Sequence, residues 1–255
     1  MIETGSQYWL MGLAAVAAGA INALAGGGTL ITFPTLIALG VPPITANVTN
    51  TVALCPGFIG GILAQFKDLA GQKRRFWIFL GISAVGGMTG SILLLQTGER
   101  AFMALVPFLI LAASGLLAVQ GLLRVRLAQR SNKGAPKLYS ETWAVILVGL
   151  TTIYGGYFGV AMSVVVLSIL GWLINDSLTR LNAIKQTVAF GANGAAAVIF
   201  ILSGRVAWTI ALVMAGGALI GGVLGGRLAG RIRPETLRWT VVSIGMVLSV
   251  IYFLR

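Results

Sequence analysis

The chain has no histidine, a single cysteine and only six acidic residues in 255. The missing histidine removes the commonest zinc and haem ligand and the commonest general base, so metalloenzyme chemistry starts at a disadvantage. Cys55 has no second cysteine with which to form an internal disulfide. The acids (Glu3, Asp68, Glu99, Glu141, Asp176 and Glu235) all fall at or beyond the edges of apolar segments. A proton relay of carboxylates through an apolar core is therefore not expected. The chain also lacks a Gly-x-Ser-x-Gly nucleophile motif, and nothing in it calls for a cofactor. Charge of either sign is scarce: 9% of residues are charged and 57% are hydrophobic. A soluble domain carries roughly a quarter charged residues, so this composition is that of an integral membrane protein. The apolar runs are long and lack period-two alternation, which reads as helices and not as barrel strands.

Met1 to Gln7 contains no Lys or Arg. A cleavable signal normally has a basic start, so the N-terminus is expected to be retained. The net charge of +12 does not argue for a nucleic-acid partner. The basic residues lie in short loops between apolar segments, the pattern that orients membrane proteins, and the partner it implies is the lipid bilayer.

Apolar segments fall at 8–25, 29–40, 44–66, 76–96 and 101–123, then at 143–156, 159–174, 178–203, 206–226 and 235–254. A span takes about 20 residues. The segments 29–40 and 143–156 fall short, which suggests paired half-helices: hairpins over 8–40 and 143–174. Basic, polar residues 124–142, with Gly134 and Pro136, form a natural linker between residues 1–123 and 143–255.

The two parts resemble each other. Asn47-Val-Thr-Asn-Thr-Val-Ala53 aligns with Ala183-Ile-Lys-Gln-Thr-Val-Ala189, and Val85-Gly-Gly-Met-Thr-Gly90 aligns with Ile220-Gly-Gly-Val-Leu-Gly225. The order and near-constant offset point to a duplication. Lys67, Lys73, Arg74 and Arg75 form one basic loop; Arg124, Arg126, Arg130, Lys133 and Lys137 a second; Arg227, Arg231, Arg233 and Arg238 a third. Placing these loops and Arg180 in the cytoplasm leaves only Arg100, Arg205 and Arg255 outside and Lys185 within a helix. Both termini then lie outside. Each part is a hairpin plus three spans, an odd number of crossings, so the repeats are inverted. The expected fold is an all-α polytopic membrane protein of two inverted repeats, each a broken-helix hairpin followed by three transmembrane helices.

Three consecutive glycines, Gly26, Gly27 and Gly28, interrupt the first apolar stretch before Thr29. Glycine disfavours helix continuation, and broken backbone at membrane depth survives only where protein or a cavity surrounds it. A helix restarting at Thr29 would direct free N–H groups and a positive dipole end into that cavity, a means of holding a small anion. Tight helix packing is the rival explanation for these glycines. It is the stronger one for Gly57/Gly61, Gly86/Gly90 and Gly217/Gly221/Gly225, whose small-xxx-small spacing also permits a homodimer.

Asn182, Lys185, Gln186 and Asn193 form one stripe of a helix. Lys185 lies roughly 10 Å into its span. Two readings stay open for it: contact with a substrate or a gate, or snorkelling to the interface. The counterpart stripe, Asn47, Thr49, Asn50 and Thr51, either contacts substrate or joins helices and caps the helix start after Pro42-Pro43.

The run Gly19-Ala-Ile-Asn-Ala-Leu-Ala-Gly-Gly-Gly-Thr-Leu-Ile-Thr-Phe-Pro34, then Gly40-Val-Pro-Pro43 and Ala46-Asn-Val-Thr-Asn-Thr51, resembles the signature of the TauE/SafE family of bacterial inner-membrane transporters. So do Leu181-Asn-Ala-Ile-Lys185, Asn193, Trp208 and Gly221-Gly-Val-Leu-Gly-Gly-Arg-Leu228. The resemblance implies transport of sulfite, sulfonates or related sulfur oxyanions. Gly159-Val-Ala-Met-Ser163 departs from the triple glycine at the second hairpin. The expectation is a carrier working by alternating access, with a proton or sodium as coupling ion. The small anion would bind among Asn22, Gly27, Gly28, Thr29, Asn47, Asn50 and Thr51, with Asn182, Lys185 and Gln186 opposite. An anion channel of the same fold is the nearest alternative; a membrane-embedded enzyme or an assembly scaffold fits less well.

Overall fold

The computed structural model describes residues 5–24, 27–132, 141–228 and 234–254. They form ten α-helices and one 3-10 turn, and the described residues contain no strand. The helices are α1 (Gly5–Leu24), α2 (Thr29–Ala38), α3 (Pro43–Ala64), α4 (Lys73–Gln96), α5 (Glu99–Asn132), α6 (Glu141–Tyr157), α7 (Met162–Leu173), α8 (Leu178–Leu202), α9 (Trp208–Leu228) and α10 (Pro234–Phe253). The 3-10 turn, Phe66–Leu69, follows α3.

Three stretches are long and apolar enough to cross a membrane: Lys73–Gln96, Glu99–Leu123 and Leu178–Leu202. Shorter apolar helices, including Thr29–Ala38 and Met162–Leu173, pack among them. All six tryptophans are more than half exposed and lie within about a turn and a half of helix ends, as Trp77 on α4 and Trp143 on α6 do. Interfacial tryptophans of this kind mark the level of lipid headgroups.

Local chemistry explains the boundaries. Pro43 starts α3, where its missing N–H costs nothing, and the Glu99 carboxylate accepts the next N–H, that of Ile44, at 2.9 Å. Gly71, at φ +75°, turns the chain before α4. The Ser177 hydroxyl accepts the Arg180 N–H at 3.4 Å and caps α8. Helix α5 runs on through Arg124 to Asn132, because no glycine or proline intervenes before Gly134. The first residues of the expected linker are thus helical, and 133–140 lie outside the described residues. So do Arg231, Arg233 and Arg255.

α1 packs along α9, and α6 along α4. α3 touches α8 and α9, while α8 touches α3 and α4. α2 rests on α3 and α10, while α7 rests on α8 and α5. These pairings exchange when each of α1–α5 is swapped with the corresponding helix of α6–α10. The central pairs run antiparallel. Asn182 at the start of α8 meets Gln65 just beyond α3, and Ala207 beyond α8 meets Thr49 near the start of α3. Likewise Ser249 on α10 donates to the Pro107 carbonyl, and Gly121 lies against Arg238.

Small residues set the close approaches. A side chain at Gly221 would overlap the Val16 carbonyl, and one at Gly90 the Ile153 carbonyl. Gly86 and Gly217 are similarly filled, on Thr152 and Gly12. Gly57, by contrast, has nothing within 4 Å. Internal packing therefore accounts for Gly86, Gly90, Gly217 and Gly221 but not for Gly57.

Candidate functional site

The first hairpin turns where the sequence places its glycine run. Gly27 takes φ +94°, which L side chains resist, and faces Leu117 of α5 and Val241 of α10. Gly28 lies so close to α1 that a Cβ would overlap the Ala18 carbonyl. Each glycine thus has its own structural reason, and together they bring the start of α2 into the interior. Ala25 and Gly26 lie outside the described residues.

The first turn of α2 is tightened by its own backbone: the Leu30 N–H donates to the Gly27 carbonyl at 2.9 Å and the Ile31 N–H to the Gly28 carbonyl at 3.0 Å. The Gly28 N–H donates to Asn22 Oδ1 at 2.8 Å. One turn on, the Thr32 hydroxyl donates to Asn50 Oδ1 at 2.6 Å, tying α2 to α3; Thr32 is fully buried and Asn50 nearly so. The Thr51 hydroxyl donates to the Asn47 carbonyl at 3.0 Å. Asn47 reaches across to the second hairpin, its Nδ2 donating to the Tyr157 carbonyl at 2.9 Å, while its buried Oδ1 has no partner. That leaves Asn47 half-satisfied, a cost of about 1–3 kcal/mol where no water enters.

The second hairpin turns through Gly159 at φ +77° and Ala161 at φ +60°. Ala161 is the one described non-glycine residue in the left-handed region, in place of the first hairpin's glycines. The Tyr154 hydroxyl donates to the Val160 carbonyl at 2.7 Å and spans the turn. Between the hairpins the space is filled by rings. Phe33 of α2 meets Phe158 edge-on at 5.4 Å, and Phe102 of α5 packs on both. This aromatic cluster lies on the Asn47 side of the bundle.

The sequence profile of the family described as "Sulfite exporter TauE/SafE" matches residues 11–252. The chain belongs to the TauE/SafE family. A "Probable membrane transporter protein" of Haemophilus influenzae is 28% identical over 241 residues, covering 91% of this chain and 89% of its own. The "Probable membrane transporter protein YfcA" of Escherichia coli K12 is 27% identical, covering 92% and 85%. A third, "Probable membrane transporter protein ORF9" of a Sinorhizobium species, is 25% identical, covering 82% and 78%. TauE/SafE membership and these relatives make the chain a membrane transporter and not an enzyme.

Within this TauE/SafE chain the ten expected site residues form two groups. Asn22, Gly27, Gly28, Thr29, Asn47, Asn50 and Thr51 lie around the first hairpin and the start of α3. Asn182, Lys185 and Gln186 lie at the other end of α3, because Asn182 Nδ2 donates to Gln65 Oε1 at 2.9 Å. Asn50 and Gln65 are 15 positions apart, or about 22 Å along the axis. Lys185 and Gln186, half-buried, sit one turn from Asn182 on that side. They do not wall the same space as Asn50. Asn193 lies between the groups, its Oδ1 3.9 Å from the Cβ position of Gly159.

Two members of the first group were not singled out from the sequence. Thr32 is visible in hindsight as the hydroxyl one turn after Gly28. The Tyr157 carbonyl carries no side-chain signal at all. A third residue, Arg238, is buried between α5 and α10 and is hidden in the sequence among loop arginines.

Proposed function

We propose that the protein is a secondary carrier of a small sulfur oxyanion, of the sulfite or sulfonate class, working by alternating access in the bacterial inner membrane. The observation that carries the reading is the interrupted first hairpin. Gly27 breaks the helix in the interior, and the N-terminus of α2, with its positive dipole end, lies there. A helix N-terminus at such a break favours an anion, and the family's description as sulfite exporters supplies the substrate class.

The inverted repeat is part of the same proposal. A two-fold axis in the membrane plane requires paired helices to run antiparallel, and the α3/α8 and α5/α10 contacts fit that requirement. The exchange of helix partners between α1–α5 and α6–α10 supports it too. Arg75, Arg180 and the linker then face the cytoplasm and Glu99 faces outward. In this reading the Phe33–Phe102–Phe158 cluster closes the outer side. The separated Asn50 and Lys185 groups become polar linings for opposite halves of the path. A coupling proton or sodium belongs to this reading without an assigned site.

The test is counterflow. Proteoliposomes loaded with unlabelled sulfite should transiently accumulate radiolabelled sulfite above equilibrium, and methanesulfonate inside should substitute for it. Uptake that only equilibrates would assign a channel. No uptake of any sulfur oxyanion in either direction would remove the substrate class.

A further inference from the structure

We propose that Arg238 is the cation that receives the transported anion beneath the first hairpin, in the seam between α5 and α10. The inference deepens the carrier reading above and rests on it. The Arg238 side chain is only 11% exposed. Its Nε is buried without a hydrogen-bond partner, and no hydrogen bond to its other nitrogens is formed among the described residues. Its one carboxylate neighbour, Glu235, stands 3.9 Å away, too far for a hydrogen bond, and is 77% exposed on its own side chain. The guanidinium also lies 5.6 Å from the Trp239 ring. A guanidinium whose buried Nε–H has no acceptor is a costly arrangement that an oxyanion relieves.

Its position ties it to the first hairpin. Gly27 faces Leu117 and Val241, and Arg238 lies against Gly121. Gly121 is one turn along α5 from Leu117, and Arg238 is about one turn along α10 from Val241. The guanidinium therefore lies roughly one helical turn, about 5 Å along the axis, beyond the Gly27 break. Gly121 gives the guanidinium its room, since a Cβ there would overlap Nη1. A sulfur oxyanion leaving or approaching the α2 N-terminus on this side meets a planar fork that can bind two of its oxygens. The seam is closed in this structure, so anion arrival goes with separation of α10 from α5.

The experiment is anion-dependent thermal stabilisation of the full-length protein in phosphatidylglycerol-free detergent, titrating sulfite, methanesulfonate and chloride. Wild type should be stabilised selectively by the sulfur oxyanions. Arg238→Gln should raise their apparent Kd roughly tenfold or more, and Arg238→Lys should recover only part of it. Gly121→Ala keeps the charge but displaces the guanidinium's flexible end, and should weaken binding without loss of fold. Gly222→Ala, in open space, should bind like wild type. Unchanged anion affinity in both Arg238→Gln and Gly121→Ala overturns the proposal while leaving the carrier reading intact. A variant that keeps sulfite affinity but loses stabilisation by added phosphatidylglycerol overturns it in favour of a lipid phosphate. A wild type that no sulfur oxyanion stabilises, and that fails counterflow, overturns both.

Discussion

Asn22 Oδ1 accepts the Gly28 N–H at 2.8 Å, so the last turn of α1 caps the first turn of α2 across the break between them. An N-cap usually comes from the residue just before its helix. Here it comes from six positions upstream, because the left-handed Gly27 folds the chain back on itself. The arrangement satisfies one backbone donor where the two helices meet.

Two substitutions at Asn22 separate stability from binding. Asn22→Ala removes the acceptor and should cost about 1 kcal/mol, read as a lower thermal midpoint. Asn22→Asp keeps the acceptor and adds a negative charge at a helix N-terminus, so stability should hold. The same charge repels an anion at that terminus, and sulfite counterflow should fall. An Asp variant that transports like wild type would remove the hairpin tip from the anion's path.

Adjacent glycines on α9 should respond in opposite ways. Gly221 touches the α1 backbone at Val16, so Gly221→Ala overpacks the α1/α9 seam and should cost about 1–3 kcal/mol. Gly222 has nothing within 4 Å, and Gly222→Ala should be neutral or slightly stabilising. Equal losses at both positions, measured by thermal unfolding in one detergent, would contradict the packing described here.

The contrast shows what a sequence can and cannot disclose. The ten apolar segments, the break before Thr29 and the polar stripes follow from composition and spacing, and the helices fall at those segments. Whether Gly221 or Gly222 meets α1 depends on which neighbour α9 faces, and two glycines in a row look alike along the chain. The second hairpin hides its turn for a related reason. Ala161 holds a left-handed conformation that alanine does not advertise, stabilised here by surroundings such as the Tyr154–Val160 bond.

The site was legible in parts. Asn22, Asn47 and Asn50 stand out because lipid offers amides no partner, and each has found one in the protein. That Asn182 meets Gln65, 15 positions along α3 from Asn50, was not legible, since it follows from the antiparallel register of α3 and α8. Arg238 was counted with the loop charges that orient a chain in the membrane. Its burial depends on α5 lying over it, a tertiary fact with no trace in the local sequence.

Thr32→Val tests the link between hairpin and stripe. The swap keeps the shape but deletes the hydroxyl that donates to Asn50 Oδ1 at 2.6 Å. Asn50 is then left with a buried, unpartnered oxygen, and stability should fall by about 1–3 kcal/mol. Removing the orphaned acceptor as well, with Asn50→Leu in the same background, should recover part of the loss. Strict additivity of the two single effects would mean that the residues act independently.

Arg75 ties both feet of the second hairpin to the first turn of α4. Its Nε and Nη2 donate to Glu141 at the start of α6, and its Nη1 donates to Asp176, beyond α7, at 2.8 Å. Asp176 also accepts from Arg180 Nε at 2.9 Å, and Arg180 Nη1 donates to the Ala70 carbonyl at 3.0 Å. The cluster is part-exposed, so a single pair in it would count for little. A guanidinium shared between two carboxylates is worth more than an isolated pair, and Arg75→Gln should cost ~1–2 kcal/mol at low salt. The loss should shrink as ionic strength rises, because exposed charges are screened. Arg75→Lys should recover only part, since a point charge cannot span Glu141 and Asp176 as the fork does. A double-mutant cycle with Asp176→Asn gives the decisive number. Coupling between the two positions means that the hairpin's far foot is held through Arg75, whereas simple additivity would mean that α7 is anchored by its apolar contacts alone.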